Sequence, residues 1–308
     1  MSPTQALRAD ALAVRREFLR MHHRAKAGHV GTGLSCIDLL VFLYRRVLSE
    51  NDVFILSKGH GASALYATLH HIGHLSDEML ATYYEDGTQL AAHPAPRALP
   101  WIPAATGSLG HGLPLACGVA LAHRTQHHSG VNTVCLLSDG DCNEGSTWEA
   151  VAFAAHHRLD NLTALIDKNG LQGFGSSRDV LGMEPMADKW RAFGFDVDEI
   201  DGHDFDQMAA VAARPGRPGV PRCVIATTRK GCGVSFMENR LEWHYLPMTD
   251  EHYRLALAEL DEVERRIGPA TGEEVARSAG QPVGEQGGRS VGQPIGESGG
   301  RSAEKETS

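Results

Sequence analysis

The six cysteines (Cys36, Cys117, Cys135, Cys142, Cys223 and Cys232) show no CxxC spacing, and most lie in apolar or glycine-containing stretches, where a free thiol behaves as a small hydrophobe. That pattern excludes a zinc site of the usual spacing and a disulfide framework. No cluster of Lys and Arg is interleaved with aromatics, and the net charge is −9, so a nucleic-acid binder held by phosphate contacts is excluded as well. No apolar stretch is long enough to cross a bilayer. The first thirty residues are rich in Arg and His and lack the continuous apolar core of a secretory signal. The chain reads as cytoplasmic. What it does have is core material: 308 residues, 42% hydrophobic, enough for one large α/β domain or two small ones.

Residues 4 to 26 carry Leu7, Leu12, Val14, Phe18, Leu19 and Met21 at helical spacing. A glycine-punctuated turn, "AGHVGTG", follows, after which Ser35 is placed to cap a second helix through Ile37, Leu39, Leu40, Phe42 and Leu43. "DVFILSKGH" and "GASALYATLHHIG" read as strand, loop and helix. "HPAPRALPWIPAATGSLGHG" (93 to 112) is a long irregular loop, and loops of that length in a compact domain are usually functional. Beyond it come an Ala-rich helix, the strand "VNTVCLLSDGD", a helix capped by Ser146 or Thr147, and the strand "NLTALIDKNG". "GFDVDEIDG" and "RCVIATTRKGCG" add two more apolar runs that end in polar loops. Strands alternating with helices imply a mostly parallel sheet with helices on both faces, whose ligands collect at the carboxyl ends of the strands. Ser57, Asp139, Asn169 and Lys230 all follow apolar runs and are expected on one rim. From 266 to 308 an Arg-Ser repeat at 277, 289 and 301 has almost no large apolar side chain and is expected to be a disordered tail after a domain of residues 1–265.

The stretch "CLLSDGDCNEGSTWEA" places Asp139, Asp141 and Glu144 within six positions. An EF-hand is the nearest generic match, but Glu144 stands where that loop needs glycine and Ala150 where it needs a bidentate glutamate. An acidic turn beside a helix N-terminus is the plain structural account. A second turn, "LIDKNGLQGFG", offers the amide oxygen of Asn169 between strand and glycines. One carboxylate, one amide and one backbone carbonyl suit octahedral Mg²⁺ that completes its shell with phosphate oxygens.

These segments, with "GHVGTGLSCIDLLVFLY", "LSKGHGASALYA", "AHPAP", "ATGSLGHGL" and "FMENRLEWH", resemble in order the transketolase family of thiamine diphosphate enzymes, from about residue 10 to 248. The resemblance implies an α/β thiamine diphosphate-binding fold in which Asp139, Asn169 and the carbonyl of Leu171 ligate Mg²⁺. It implies further that Gly140, Asp141, Gly107, Ser108, Leu109 and Lys230 line the cofactor. His60 and His244 would touch cofactor and reacting groups, with His29, Thr32 and His93 facing the sugar and His60, His93 and His244 exchanging protons. Glu144 would lie at a subunit interface. Two residues depart from the family pattern: Ser138 replaces a glycine and His111 a glutamine. The other histidines considered, His22, His23, His70, His71, His127, His128, His156 and His157, are read as structural or solvated.

In this family the cofactor is activated by a glutamate of a second, pyrimidine-binding domain, for which this chain has no segment. The chain is therefore expected to be the N-terminal half of a split transketolase, inactive alone, paired with a C-terminal-half subunit in a heterotetramer and acting on a sugar phosphate. Two alternatives stand beside it. One is a 2-oxoacid dehydrogenase-like or specialised-metabolism subunit delivering a two-carbon unit to a lipoyl or carrier-protein arm; the other is a non-catalytic scaffold of the same fold.

Overall fold

The computed structural model describes residues 2–95, 99–126 and 130–267. In chain order the elements are α1 (Pro3–Ala25), α2 (Val30–Phe42), β1 (Val53–Leu56), α3 (Ala62–His71), α4 (Asp77–Ala81), α5 (Gly112–Thr125), β2 (Thr133–Ser138) and α6 (Gly145–His156). They continue as β3 (Leu162–Lys168), α7 (Ser177–Leu181), α8 (Met186–Ala192), β4 (Asp196–Asp201), α9 (Phe205–Ala213), β5 (Arg222–Thr227) and α10 (Asp250–Ile267). The five strands pair in the order β1-β2-β3-β5-β4, all parallel.

Alternation along the strands builds two cores. Val134, Leu136, Leu165 and Val224 pack with the residues of α1, α2 and α3. Their neighbours Cys135, Leu137, Ala164, Ile166, Cys223 and Ile225 face α5, α6 and α8 on the other side. Both faces are covered, so the strands are nearly continuous apolar runs, as a parallel sheet demands. The amphipathic α10 lies on α1, where Arg16 pairs with Asp261 at 2.6 Å and Glu264 at 2.8 Å. Among the described residues no helix is long and apolar enough to cross a membrane. The expected tail, residues 266 to 308, lies outside the described residues from 268 onward.

Two expected caps are corrected. Ser35 is not an N-cap: α2 already starts at Val30, its N-cap position held by His29 in the left-handed region (φ 65°). The helix runs through the glycines because close packing requires them. A Cβ on Gly33 would stand 2.4 Å from the Phe18 ring, and one on Gly31 3.1 Å from Lys230 Cγ. Tertiary approach thus outweighs the low helix propensity of glycine. Similarly, Glu144 holds the N-cap position of α6. Ser146 and Thr147 instead donate to the carbonyls of Gly110 (2.8 Å) and Asp141 (2.6 Å), tying the helix to the loops before it.

Candidate active site

At the carboxyl edge of the sheet the loops after β1, β2, β3 and β5 converge, and Ser57, Asp139, Asn169 and Lys230 all lie on that rim. Its floor is a buried ion pair. Lys58 Nζ contacts Asp167 Oδ2 and donates to the Thr32 carbonyl at 2.9 Å; Ser35 Oγ donates to the same carboxylate at 2.6 Å, and Thr228 Oγ1 to its other oxygen. Burial opposes both charges, yet each partner outweighs it: Asp167 is held below the usual carboxylate range and Lys58 above the usual ammonium range. Neither Lys58 nor Asp167 was singled out from sequence.

Asp139 stands one residue along and is treated differently. It is 4% exposed, and its partners are the backbone N–H groups of Gly140 (3.1 Å) and Gly170 (2.9 Å) and the Ser177 hydroxyl (2.6 Å). Burial raises its carboxyl above the ordinary value. Through Gly170 it meets the second turn, where Asn169 Oδ1 accepts from Leu171 N at 3.1 Å and the Leu171 carbonyl accepts from Lys230 Nζ at 3.2 Å. A buried carboxylate held by neutral donors, beside an amide oxygen and a carbonyl, is a hard-oxygen set that fits Mg²⁺.

Asp141 is placed differently from Asp139. Its side chain turns inward and is completely buried; Oδ1 accepts from Ser57 Oγ (2.7 Å) and Gly110 N (2.9 Å), and Oδ2 from Ser138 N (2.8 Å) and Ser138 Oγ (2.9 Å). With four donors its oxygens are filled. Its side chain braces three loops against one another. The serine at 138 gains its place here, because its hydroxyl supplies one of those donors. Glu144 is exposed, and His111, also exposed, makes a 3.1 Å contact with the Leu109 carbonyl.

Above the rim four histidines meet. Ring centroids lie 4.4 Å apart for His29 and His60, 5.0 Å for His60 and His93, 5.2 Å for His60 and His244, and 5.4 Å for His29 and His244. Burial lowers all of them; the crowd of imidazoles and lysines takes His29 down to about 4 and His60 and His244 down to about 3. They are neutral near pH 7. Lys230, lowered to about 8 by burial and then by Lys58, donates to His244 Nδ1 at 2.8 Å. The His244 proton therefore sits on Nε2.

Of the long loop, Gly107 and Leu109 lie against the rim. Gly107, with φ +144°, brings backbone against backbone: a Cβ on Gly59 would stand 2.7 Å from its Cα. Leu109 reaches over Gly140, where an added Cβ would lie 3.2 Å from Leu109 Cδ1. Ser108 is exposed, and Thr32 is buried in the first turn of α2. The remaining histidines do other work. His22, lowered to about 4 by burial, bridges Ser63 Oγ (2.7 Å) and Ala27 O (3.3 Å). His23, His70 and His71 pair with Asp250, Asp77 and Asp10. His156 and His157 pack edge to face, and His127 and His128 lie outside the described residues.

Residues 9–261 match the family model for the transketolase thiamine diphosphate-binding domain. An apulose-4-phosphate transketolase subunit of Actinobacillus succinogenes is 39% identical over 266 residues, 83% of this chain and 96% of that protein. A 6-deoxy-6-sulfo-D-fructose transketolase subunit of a Clostridium species is 38% identical over 83% of this chain and 96% of its own length. The crystal structure of the Campylobacter jejuni transketolase superposes with a TM-score of 0.76 at 27% identity, covering 90% of this chain. Of that transketolase the present chain spans 48%, about half.

Proposed function

The chain belongs to the transketolase family, whose thiamine diphosphate-binding domain it spans, and from that premise we propose that it is the diphosphate- and Mg²⁺-binding subunit of a heteromeric transketolase. The enzyme moves a two-carbon ketol unit from a ketose phosphate to an acceptor. One observation carries this reading: four neutral imidazoles and one lysine of lowered pKa converge near a buried carboxylate, Asp139, that forms no ion pair among the described residues.

When bound, the cofactor supplies a carbon nucleophile and an electron sink. Asp139, Asn169 Oδ1 and the Leu171 carbonyl hold the metal, and Lys230 meets the diphosphate. Gly107, Ser108, Leu109 and Gly140 let the backbone lie close to it. His244 donates from Nε2 to a substrate oxygen while Lys230 fixes its tautomer. His29, His60 and His93, neutral and adjacent, would hydrogen-bond the sugar hydroxyls, and proton exchange by His60 and His93 would need their pKa values to rise when substrate and cofactor charge enter the site. Such a set suits a polyhydroxylated substrate better than a lipoyl arm. Two similar proteins are named for sugars bearing a terminal phosphate or sulfonate, and a ketose of that class is the expected donor.

The activating glutamate comes from a partner. Two relatives named as transketolase subunits match this chain over 96% of their own length, whereas it spans about half of a solved transketolase. Leu115 on α5 and Phe153 on α6 are exposed at 43% and 38%. Together with Glu144 they offer an interface in a cytoplasmic heterotetramer. The test is reconstitution: purify the chain and a C-terminal-half partner separately and assay with Mg²⁺, thiamine diphosphate, a ketose phosphate and an aldose. Turnover only in the mixture is expected, and enzyme-like turnover by this chain alone would refute the split reading.

A further inference from the structure

A second polar cluster lies behind the loop that carries Lys230, and the pocket makes no use of it. Arg15 of α1 forms two hydrogen bonds with Asp38 of α2, at 2.8 and 2.6 Å. Asp38 Oδ2 lies 2.6 Å from His203 Nδ1. The other ring nitrogen, Nε2, accepts the backbone N–H of Arg229 at 2.9 Å, so the ring proton is on Nδ1. Cys232 closes the group. Its sulfur lies 3.5 Å from His203 Nδ1, 3.6 Å from Arg229 Nη2 and 3.8 Å from Arg15 Nη2. Two guanidinium N–H groups donate to one sulfur, and the His203 ring, whose own proton goes to Asp38, lies against it. Of the nearby carboxylates, Asp38 is shared between Arg15 and His203, and Glu238 lies 3.7 Å from Arg229 Nε and accepts from Gly233 N at 3.1 Å.

That surrounding is built for an anion on sulfur, and it sets this cysteine apart. Burial raises the thiols of Cys36, Cys117, Cys135, Cys142 and Cys223. Burial opposes ionisation of Cys232 too, as does Asp38, but His203 and Arg15 outweigh them and the thiol is lowered. With guanidinium groups on two sides the cluster is a poor cation site, although Asp38, His203 and Cys232 have ligand atoms close together. Reach from solvent is short. His203 and Arg229, which hold the sulfur, also line a cavity of about 370 Å³, and the Arg229 side chain is half exposed.

We propose that Cys232 is a peroxide-sensitive modification site, whose thiolate is held by His203, Arg15 and Arg229 and is oxidised reversibly to a sulfenic acid. In the step a sulfur lone pair attacks one oxygen of hydrogen peroxide. The S–O bond forms as the O–O bond breaks, hydroxide leaves to solvent, where the buffer acid protonates it to water, and sulfur gives up the two electrons that reduce the peroxide. A small-molecule thiol then condenses with the sulfenic acid to a mixed disulfide and water, and a second thiol restores Cys232 by exchange. The turn has no slack for the added oxygen. Gly231 N donates to Gly31 O at 2.9 Å, and a Cβ on Gly231 would stand 2.3 Å from Met237 O. Oxidation therefore displaces Lys230, two positions earlier, and weakens binding of a diphosphate ligand. This consequence rests on the functional reading above; the chemistry at sulfur does not.

The experiment treats the folded full chain with hydrogen peroxide at neutral pH, traps sulfenic acid with a 1,3-diketone, and locates the adduct by peptide mass spectrometry. Cys232 is expected to label about tenfold or more faster than any other cysteine, as its thiolate fraction dictates. The adduct should be absent in Cys232→Ser. It should form several-fold more slowly in Arg229→Gln, whose melting temperature stays that of the parent. Equal labelling of all six cysteines, no labelling of the folded chain while the unfolded chain reacts, or an unchanged rate in Arg229→Gln would each overturn the proposal. Titration of oxidised and reduced chain with thiamine diphosphate and Mg²⁺ reads the consequence separately. Clean labelling of Cys232 with unchanged affinity would sink the link to Lys230 and leave the modification site standing.

Discussion

Asp139 and Asp167 end neighbouring strands, and the two are joined by a backbone hydrogen bond from Asp139 N to Asp167 O of 3.3 Å. Both are buried, yet they have opposite fates. Asp167 has Lys58 against one oxygen, two hydroxyls besides, and a lowered pKa. Asp139 has two amides, one hydroxyl and a raised pKa. The lysines divide in the same way: Lys58 is raised by its carboxylate, whereas Lys230 has only a carbonyl and an imidazole to donate to and is lowered to about 8. A charge the fold itself neutralises is structural; one left without a counter-charge beside a pocket is where a charged ligand is expected.

The largest effect should come from breaking the neutralised pair. Asp167→Ala leaves the Lys58 ammonium buried with no partner, a change that costs about 3–5 kcal/mol in comparable buried pairs. Since a domain has only about 5–15 kcal/mol of stability, the variant should be largely insoluble or melt far below the parent. Thermal unfolding followed by circular dichroism checks it. A melting temperature within a degree or two of the parent would show that the floor does not depend on this pair.

Asp139→Asn is the counterpart. It removes a buried charge but sets an NH2 group against a backbone N–H of Gly140 or Gly170, so the melting temperature of the unliganded chain should fall far less than in Asp167→Ala. Mg²⁺-dependent binding of thiamine diphosphate by the reconstituted complex should fall by about 100-fold or more, since even groups one step removed from a metal cost 10–100-fold. Asn169→Ala should act in the same direction. Calorimetric titration of each variant with its partner decides it, and parent-like affinity would remove the metal assignment while leaving the fold untouched.

The contrast also marks what could be read in advance. Asp139, Asn169 and Lys230 follow apolar runs, and a parallel sheet sends the ends of such runs to one rim, so the rim was legible from strand period alone. The floor was not. Asp167 lies inside an apolar run, and Lys58, Ser35 and Thr228 are 109, 132 and 61 residues away from it. No local pattern links them. The start of α2 escaped for a related reason: Gly31 and Gly33 read as a turn by propensity, and only the approach of Phe18 and Lys230 explains why they are helical. Asp141 and Asp139 look alike in sequence, and their side chains part only because Ser57, Ser138 and Gly110 capture one of them. Strand periodicity located the pocket, while long-range packing decided which acid faces it.

The smallest effect sharpens the comparison between the lysines. In the free chain Lys230 is lowered from 10.5 to about 8, by burial first and then by Lys58. A diphosphate beside it favours the charged form, so the pKa rises in the complex. The sign follows: binding is at full strength at about pH 7 and below, where the free lysine is nearly all charged, and weakens as pH climbs through 8, where a growing share of complexes must take up a proton. The loss is up to about tenfold per pH unit until the pKa of the bound state is reached. Calorimetry in two buffers of different ionisation enthalpy should give proton uptake of about a quarter of a proton per site at pH 7.5, rising towards one above pH 8, conditions under which the diphosphate and the neutral histidines no longer titrate. Lys230→Met should bind more weakly throughout and lose the added uptake. If Lys230→Met takes up protons as the parent does, the ligand's counter-charge is elsewhere, and the parallel with Lys58 fails at that point.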